Sequence, residues 1–291
     1  MDAAIPVPAK LDAYIDSIKT LPPTPSLILK LLALLKESSP DIDEVISLAM
    51  RDPAITLEIL RICNGARFRG EEKVSDIFDA VIRLGLEEIC RIIMMISATN
   101  TLSLKNVDTV LEVEALCRHS KATAVAAGVV AKSAGEGENA AFIAGLLHDI
   151  GKIALASADG VRYRSRPWTG RHDVPSSSLS EWETKNFGFN HGDVGGRLLQ
   201  RWGFPPEIAL PVQYHHNIAG AGNFSRLAST VALADLFAHA AEKKAATDAS
   251  SHENITQAAS SLNLAAAEVT LLRDRVIEAL KRDAFALGRA T

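Results

Sequence analysis

The sequence has few cysteines and lacks a recognisable secretion signal. Its 291 residues include three cysteines, Cys63, Cys90 and Cys117, without a Cys-x-x-Cys pair. This argues against a disulfide framework or a thiolate zinc site, and we interpret all three as reduced core residues. The N-terminal stretch MDAAIPVPAKLDAYID has an early acid and two prolines rather than a basic segment followed by an apolar one. We therefore expect a cytoplasmic protein.

The sequence also lacks an excess of positive charge and long apolar runs. It has 31 Lys and Arg against 35 Asp and Glu, for a net charge of −4, with no Lys/Arg run. Non-specific binders of nucleic acid or anionic membranes usually carry a basic excess, so we expect neither partner. The longest apolar runs, such as ATAVAAGVVA, are much shorter than a membrane span. Hydrophobic residues, 47% of the chain, still suffice for a core in one or two domains.

Strand patterns are scarce, whereas helix boundary signals recur along the chain. We therefore predict an all-α fold, in which a multi-helix bundle packs against an N-terminal helical block. The predicted division is an N-terminal block over 10–110, a helical domain over 111–245 and a C-terminal helical extension over 255–291. A polar stretch over 159–177 is predicted to be a surface loop, and 246–254 a polar linker.

Individual residues predict where the helices begin and end. Asp52 followed by Pro53 indicates a helix start, because proline is favoured at the first helical position. Ser75 is predicted to cap the helix VSDIFDAVIRLG. Gly65 and Gly85 are each predicted to lie just past a helix end with a positive φ.

The stretch AFIAGLLHDIGKIALA raises the question of function. We predict one buried helix carrying three polar groups, His148, Asp149 and Lys152. Burying such groups is costly unless each finds a partner. Five further candidate residues lie in predicted helices or at their ends: His119, His191, His215, His216 and Asp235.

These side chains offer the ligands of a metal site. Imidazole nitrogens and carboxylate oxygens suit Zn, Fe, Mn or Ni. Seven candidate ligands are too many for one ordinary ion, so we predict two ions that share a bridging carboxylate. One ion would take His119, His148, Asp149 and Asp235. The other would take Asp149, His191, His215 and His216. Two divalent ions and two aspartates leave a pocket charge of about +2, which attracts phosphate and can activate a water.

Simpler interpretations apply to each residue alone. A lone buried histidine is more often a hydrogen-bonded core residue than a ligand. A buried aspartate can cap a helix, as Asp193 does by this interpretation, and Lys152 can be a surface lysine with a buried stem. His239, four residues after Asp235, is predicted to support the site or the fold rather than to ligate. The joint pattern favours metal binding more strongly than any single residue.

The motifs resemble a known family. GLLHDIGK, preceded by RHS and followed by HGDVGGRLLQRWGFP and YHH, is similar to the HD superfamily. The segments LPPTPSLILKLLALL, ISLAMRDPAITLEILRICNGARF and VSDIFDAVIRLGLEEI more narrowly resemble the bacterial HDOD proteins, which carry HD-related output domains. The resemblance covers about residues 17–245. It implies an all-α fold and a role in bacterial signalling or regulation.

The resemblance also implies site residues. The chain has His or Asp at every position where the related HD-GYP cyclic-dinucleotide phosphodiesterases place metal ligands, and these positions are the seven residues named above. The resemblance also implies that Lys152 contacts a phosphate. NIAGAGNF follows the two histidines, in place of a Gly-Tyr-Pro loop.

Two hypotheses follow. One is a metal-binding signalling protein that acts through protein partners docked on the N-terminal block, or that senses a nucleotide or phosphate ligand. The other is a metal-dependent phosphohydrolase of a nucleotide or phosphoester, with Lys152 steadying a phosphate oxygen. An open site mouth with cations would favour the enzyme, and a covered site would favour the signalling protein.

Overall fold

The computed structural model describes residues 7–65, 73–103, 111–166, 176–243 and 249–282. Across these ranges the chain forms helices and no β-strand, which confirms the all-α prediction. The chain divides into two compact units. One consists of Met1–Pro22 with Leu102–Lys281, and the other of Pro23–Thr101 with Arg282–Thr291.

The unit over Pro23–Thr101 is a small helical domain with an aliphatic core. Its helices are α2 (Ser26–Leu35), α3 (Ile42–Met50), α4 (Pro53–Cys63), α5 (Ile77–Leu84) and α6 (Leu86–Leu102), the last of which ends at the unit boundary. Asp52 caps α4 by accepting a hydrogen bond from the Ala54 N–H, with Pro53 in the first turn, as predicted. Side chains such as Ile28, Ile59 and Ile93 are fully buried.

The larger unit contains α1 (Val7–Ser17) and every described helix from α7 onward. Its other helices are α7 (Val113–Ala134), α8 (Glu138–Leu147), α9 (Ile150–Ala158), α10 (Gly160–Arg164), α11 (Ser176–Phe187), α12 (His191–Arg201), α13 (Pro206–Tyr214), α14 (Ser225–Lys243), α15 (Ala249–Ser261) and α16 (Ala266–Arg282). A 3₁₀ segment, Ile218–Phe224, joins α13 to α14. Helices α7, α8, α9, α12, α13 and α14 pack on one another and form its centre.

The predicted single helix over AFIAGLLHDIGKIALA is wrong in one respect. The helix is interrupted at His148 and Asp149, so α8 ends at Leu147 and α9 begins at Ile150. The combined stretch Glu138–Ala158 is long and apolar enough to cross a membrane, with a mean hydropathy of 1.4, and 89% of that window is buried inside the protein. The sequence analysis, which considered uninterrupted apolar runs, did not identify this stretch, because His148, Asp149 and Lys152 lie within it.

Helix α1 is anchored on α12 by an ion-pair network within the larger unit. The Arg197 guanidinium donates to both carboxylate oxygens of Asp12, at 2.7 and 2.8 Å. Arg201 donates to Asp12 at 3.0 Å and to Asp16 at 2.7 Å. Tyr14 also packs edge-on against Phe189, with ring centroids 4.7 Å apart. The N-terminal helix is thus fixed to the helix that begins with His191.

Two of the predicted helix boundaries need correction. Asp76 rather than Ser75 caps α5, because its carboxylate accepts from the Asp79 N–H. Gly85 has the predicted positive φ, at 85°, whereas Gly65 does not. At the end of α4 the Asn64 side-chain amide donates a hydrogen bond to the Leu60 carbonyl oxygen. This side chain therefore satisfies a carbonyl group at the helix end, which a glycine with positive φ does in other helices.

Two stretches predicted to be irregular contain helix. Residues 160–164 form α10 within the predicted loop 159–177, and Tyr163 there is fully buried. The part of that loop over 167–175 lies outside the described residues. Helix α15 occupies much of the predicted linker 246–254, because Ala258, Ala259 and Leu262 give it an apolar face to bury.

Candidate metal centre

The seven candidate ligands converge at one place in the larger unit, although they come from distant parts of the sequence. They lie on α7, at the α8–α9 break, at the start of α12, at the end of α13 and on α14. Six of the seven are at most 5% exposed, and His216 is intermediate. Lys152 lies beside them, with its side chain 12% exposed. The sequence prediction therefore identified one spatial cluster, while the role of its members as metal ligands stays a prediction.

Glycine allows the helices to approach closely enough for this convergence. A Cβ added at Gly151 would overlap the His191 carbonyl oxygen and lie 2.8 Å from the Gly195 nitrogen. A Cβ at Gly145 would lie 2.9 Å from the Thr123 carbonyl oxygen. Both distances are shorter than real Cβ contacts allow, so glycine at 145 and 151 permits α8 and α9 to contact α7 and α12.

One group of ligands joins α7, α8 and α14. His119 Nε2 lies 2.9 Å from Asp235 Oδ1. His148 Nε2 lies 3.7 Å from the same oxygen. The three side chains can each direct one ligand atom at a common point, with all three atoms within 4.8 Å of one another.

A second group joins α12 and α13. His191 Nε2 lies 2.9 Å from His216 Nε2. The His215 and His216 rings are adjacent, with centroids 3.9 Å apart. These three imidazoles also bring one nitrogen each within 4.8 Å of the others.

The Asp149 carboxylate lies between the two groups. Its Oδ1 is 3.4 Å from His148 Nε2 and 3.3 Å from His191 Nε2. Its Oδ2 accepts a hydrogen bond from Lys152 Nζ at 2.6 Å and lies 4.0 Å from His119 Nε2. This is the position that a carboxylate bridging two ions would occupy. The structure pairs Lys152 with Asp149, three residues earlier in the sequence.

The remaining ring nitrogens fix the orientation of three imidazoles. His148 Nδ1 lies 2.8 Å from the Gly145 carbonyl oxygen, and His215 Nδ1 lies 2.7 Å from that of Val212. His191 Nδ1 lies 2.6 Å from a Glu183 carboxylate oxygen. Because these oxygens only accept hydrogen bonds, each Nδ1 carries a proton, and Nε2 is the nitrogen whose lone pair a neutral ring offers to the centre.

Glu183 is a site residue that the sequence analysis missed. It is fully buried, and its carboxylate accepts from the His191 backbone N–H at 2.8 Å and from the Tyr163 hydroxyl at 2.8 Å. Burial, followed by the charge of Glu183, raises the pKa of Tyr163 well above its usual value, so the hydroxyl stays a donor. Nothing in the sequence around WETKNF distinguishes this glutamate from a solvated one.

Glu242 was missed as well. Its Oε2 lies 3.6 Å from His119 Nδ1, while the His239 ring stacks on His119 at a centroid distance of 4.1 Å. His239 Nε2 lies 3.3 Å from Asp235 Oδ1, and its predicted supporting role stays a prediction. Asp235, His239 and Glu242 follow an i, i+4, i+7 spacing, and this signal could have identified Glu242.

Comparisons with known proteins identify the family of this chain. Residues 21–218, more than half of the chain, match the family model of the HDOD domain. The chain belongs to the HDOD domain family. An uncharacterized protein of Treponema pallidum (strain Nichols) is 28% identical to this HDOD chain over 232 residues, or 78% of the chain and 44% of the relative. The chain thus spans less than half of the curated relative that it matches.

Solved structures share the HDOD fold. An HDOD domain protein of unknown function from Geobacter sulfurreducens gives a TM-score of 0.74 at 22% identity, covering 95% of this chain and 96% of that one. A candidate phosphohydrolase from Shewanella amazonensis SB2B gives 0.68 at 20%, covering 96% of each chain. A candidate signal transduction protein from Marinobacter aquaeolei VT8 gives 0.70 at 18%, covering 97% and 66%. At these low identities the likeness shows the fold alone.

In this HDOD site the surroundings favour a charged Asp149, a neutral His215 and a protonated His119. Burial raises the pKa of Asp149, but His148 and Lys152 outweigh it, and the pKa lies well below its usual value. Burial, then the neighbouring imidazoles, lowers the pKa of His215 to about 3. Burial lowers the pKa of His119, yet the carboxylates of Asp235 and Glu242 outweigh it and raise the pKa to about 10.

The donor set fits divalent transition-metal ions. His215 Nε2 and Asp149 Oδ1 are buried without a hydrogen bond, and His148 Nε2 and His191 Nε2 lie 3.4 and 3.3 Å from that carboxylate oxygen. Buried acceptors that lack a donor are costly. Ligand atoms about 2.1 Å from a tetrahedral ion lie roughly 3.4 Å apart. The distances of 3.3 and 3.4 Å around Asp149 Oδ1 match that spacing.

Proposed function

We propose that this HDOD chain is a bacterial signalling or regulatory protein built around a buried binuclear metal centre. The observation that supports this most is the convergence of three oriented Nε2 lone pairs on the Asp149 carboxylate. Cations between these atoms would satisfy groups that hydrogen bonds within the chain leave unsatisfied. Binding an ion in this position would add its binding free energy to the stability of the folded unit.

The chain's own residues would divide the ions as the two groups suggest. His119, His148 and Asp235 would hold one ion, and His191, His215 and His216 the other, with Asp149 bridging. Fe, Mn, Zn and Ni all suit such nitrogen and oxygen ligands. When bound, the ions would supply Lewis acidity to any phosphate or water that reaches them.

The burial of the site supports a regulatory rather than a catalytic role. The ligands are almost entirely covered, with His148 and Asp149 each 1% exposed and His191 fully buried. Lys152, the cation expected to contact substrate, donates instead to Asp149. A covered centre suits an ion that links several helices of the larger unit. The stability of these helices would then change when the occupancy of the site or its ligand changes.

Protein partners would dock on the unit over Pro23–Thr101. Its helices α3 to α5 expose large apolar side chains: Met50 is 64% exposed, Leu57 68%, Phe78 55% and Ile82 69%. Phe78 and Ile82 are four residues apart on α5 and therefore share a face. We also propose a cytoplasmic location, supported by three free cysteines that are all buried, and no direct role for nucleic acid or membrane.

The alternative is a metal-dependent phosphohydrolase of a nucleotide or phosphoester. One observation favours it: the ligand set is complete, and Lys152 adjoins it with some exposure. On release from Asp149, the Lys152 ammonium would hold a phosphate oxygen beside the ions. A nucleotide or phosphate that binds without turnover would instead be the sensed ligand of the regulatory protein.

Metal analysis and a hydrolysis screen separate the two functions. Protein stripped with chelator and reconstituted with Fe, Mn, Zn or Ni should hold two ions per chain, and Asp149→Ala should hold fewer. The regulatory proposal expects no turnover of nucleotides, cyclic dinucleotides or p-nitrophenyl phosphate above that of Asp149→Ala.

Turnover that Lys152→Ala abolishes while it keeps both ions would establish the phosphohydrolase. Wild-type protein that takes up no ion would rule out the metal centre and both proposals with it.

A further inference from the structure

A group of potential ligands lies on the outer side of His119, facing away from Asp149. His119, His239 and Glu242 can each direct one ligand atom at a common point, with all three atoms within 4.8 Å of one another. Counted over the side-chain atoms alone, the exposed fraction is 7% for His119, 23% for Glu242 and 28% for His239. The group therefore lies between the buried centre and the solvent.

The spacing within this group suits a shared ion better than a hydrogen bond. His119 Nδ1 and Glu242 Oε2 are 3.6 Å apart, beyond the usual 2.7–3.2 Å of an N–H···O bond. Two ligands of one tetrahedral ion lie roughly 3.4 Å apart. His119 Nδ1 is moreover buried without a hydrogen-bond partner, in a side chain that is more than nine-tenths covered.

His119 presents a different nitrogen to each side. Its Nε2 lies 2.9 Å from Asp235 Oδ1, which is hydrogen-bond distance, and its Nδ1 faces Glu242. Each ring nitrogen can ligate an ion only where it carries no proton. While Nε2–H donates to Asp235, Nδ1 is the nitrogen that an ion on the outer side can use. When Nε2 ligates an inner ion, Nδ1 carries the proton and faces Glu242.

We propose that His119 Nδ1, His239 and Glu242 form an outer site for a divalent transition-metal ion, filled only while no inner ion uses His119 Nε2. This proposal rests on the metal centre proposed above. The short His119–Asp235 hydrogen bond is the arrangement in which Nε2 is occupied and Nδ1 is available to an outer ion. The outer site thus competes with the inner site for one imidazole, and its exposure makes it the first ligand group that an incoming ion meets.

The experiment counts bound ions in two backgrounds. Asp235→Asn removes the inner carboxylate charge but keeps an amide oxygen that accepts the His119 Nε2–H, so it favours the outer site. Co²⁺ is titrated by calorimetry and absorption spectroscopy into wild type, Asp235→Asn, Glu242→Gln and the double variant. Asp235→Asn/Glu181→Gln is the matched control, because Glu181 is an exposed acid elsewhere in the same unit.

We expect Glu242→Gln to leave the number of bound ions unchanged in the wild-type background. In the Asp235→Asn background the same change should remove one ion, and Glu181→Gln should remove none. Asp235→Asn/His239→Ala should also lose that ion, which provides a second variant if one double variant misfolds by circular dichroism.

Two results would overturn the outer site. One is an equal effect of Glu242→Gln in both backgrounds, which would make Glu242 only an orienting partner of His119. The other is a single variant Asp235→Asn that already lacks the ion expected at the outer site, so that Glu242→Gln has no ion to remove. Failure of the proposed metal centre has a different signature, because wild-type protein would then bind no Co²⁺.

Discussion

The two compact units of this chain differ in what their cores contain. Among the described residues of Pro23–Thr101, Thr101 is the one buried polar residue, and its hydroxyl donates a hydrogen bond to a carbonyl oxygen in its own helix. The core of the larger unit instead buries four histidines and two aspartates beside Glu183. Both cores are helical and well packed, so the fold itself does not require buried ionisable groups. Their concentration in one unit indicates a function, since each costs free energy to desolvate.

Asp149→Ala should give the largest effect, and it changes only the core of the larger unit. Removal of the central carboxylate leaves Lys152 and the facing imidazoles without their shared partner, which typically costs about 3 kcal/mol or more. We expect a lower free energy of urea unfolding together with loss of bound metal by elemental analysis. Asp274→Ala, a change at an exposed acid on α16, should alter neither. Unchanged stability of Asp149→Ala would contradict the account.

Ile59→Ala tests the other core. Ile59 is fully buried in α4, and truncating such a residue costs about 2–5 kcal/mol because it leaves a cavity. We expect the protein to unfold at lower urea concentration while it retains its full metal content. Exposed Leu57→Ala on the same helix should be nearly neutral. Metal loss in folded Ile59→Ala would show that the centre depends on the aliphatic unit and would break the comparison.

The sequence predicted the seven inner ligands but not the residues that orient them. His148, Asp149 and the other candidates have residue types and a family pattern that point to metal chemistry. Glu183 resembles an ordinary surface acid in the sequence, because its role depends on which helices meet, whereas Glu242 is marked only by its spacing from Asp235 on one helix. The break at His148 was missed because apolar residues on both sides of His148 and Asp149 predict one continuous helix, and the interruption at these two residues is seen only in the structure.

Local boundaries were predictable where one side chain decides them. Asp52 with Pro53 and the positive φ of Gly85 follow from local chemistry. Ser75 and Asp76 are adjacent, and both residue types are good helix caps. The backbone geometry of the turn decides that Asp76 is the cap, and the sequence does not reveal that geometry. Tyr163 was assigned to a polar loop because its burial depends on the distant Glu183.

Gly85→Val tests a backbone effect that involves neither core. Gly85 has φ 85° and ψ 155°, a region that is almost exclusive to glycine. A Cβ there would meet nothing within 4 Å, so strain rather than collision sets the cost. We expect a loss of about 1–3 kcal/mol with unchanged metal content, measured by thermal melting and elemental analysis. Gly137→Val, at a negative φ, is the matched control, and equal losses in both variants would contradict the strain argument.

The smallest effect concerns the exposed ion pairs of α1. Hydrogen bonding to Arg197 outweighs burial and lowers the pKa of Asp12 below its usual value. The stabilisation is therefore present above about pH 4 and is lost as pH falls through the lowered pKa. Because the side chain is 28% exposed, we expect Asp12→Asn to cost at most about 1 kcal/mol at pH 7 and nothing at pH 2. A difference between wild type and variant that stays constant with pH would contradict this.

Hydrogen exchange with and without metal tests the central claim most directly. Chelator-treated protein is compared with protein holding saturating Zn²⁺ or Mn²⁺, and peptides from both units are followed. We predict that metal slows exchange in the segments around His119, His148, His191, His215 and Asp235, and that it leaves residues 23–101 unchanged. At one hundred times the dissociation constant, one ion would add about 2.7 kcal/mol to the stability of the unit that binds it. Identical exchange in both samples, with no ion retained, would contradict the account.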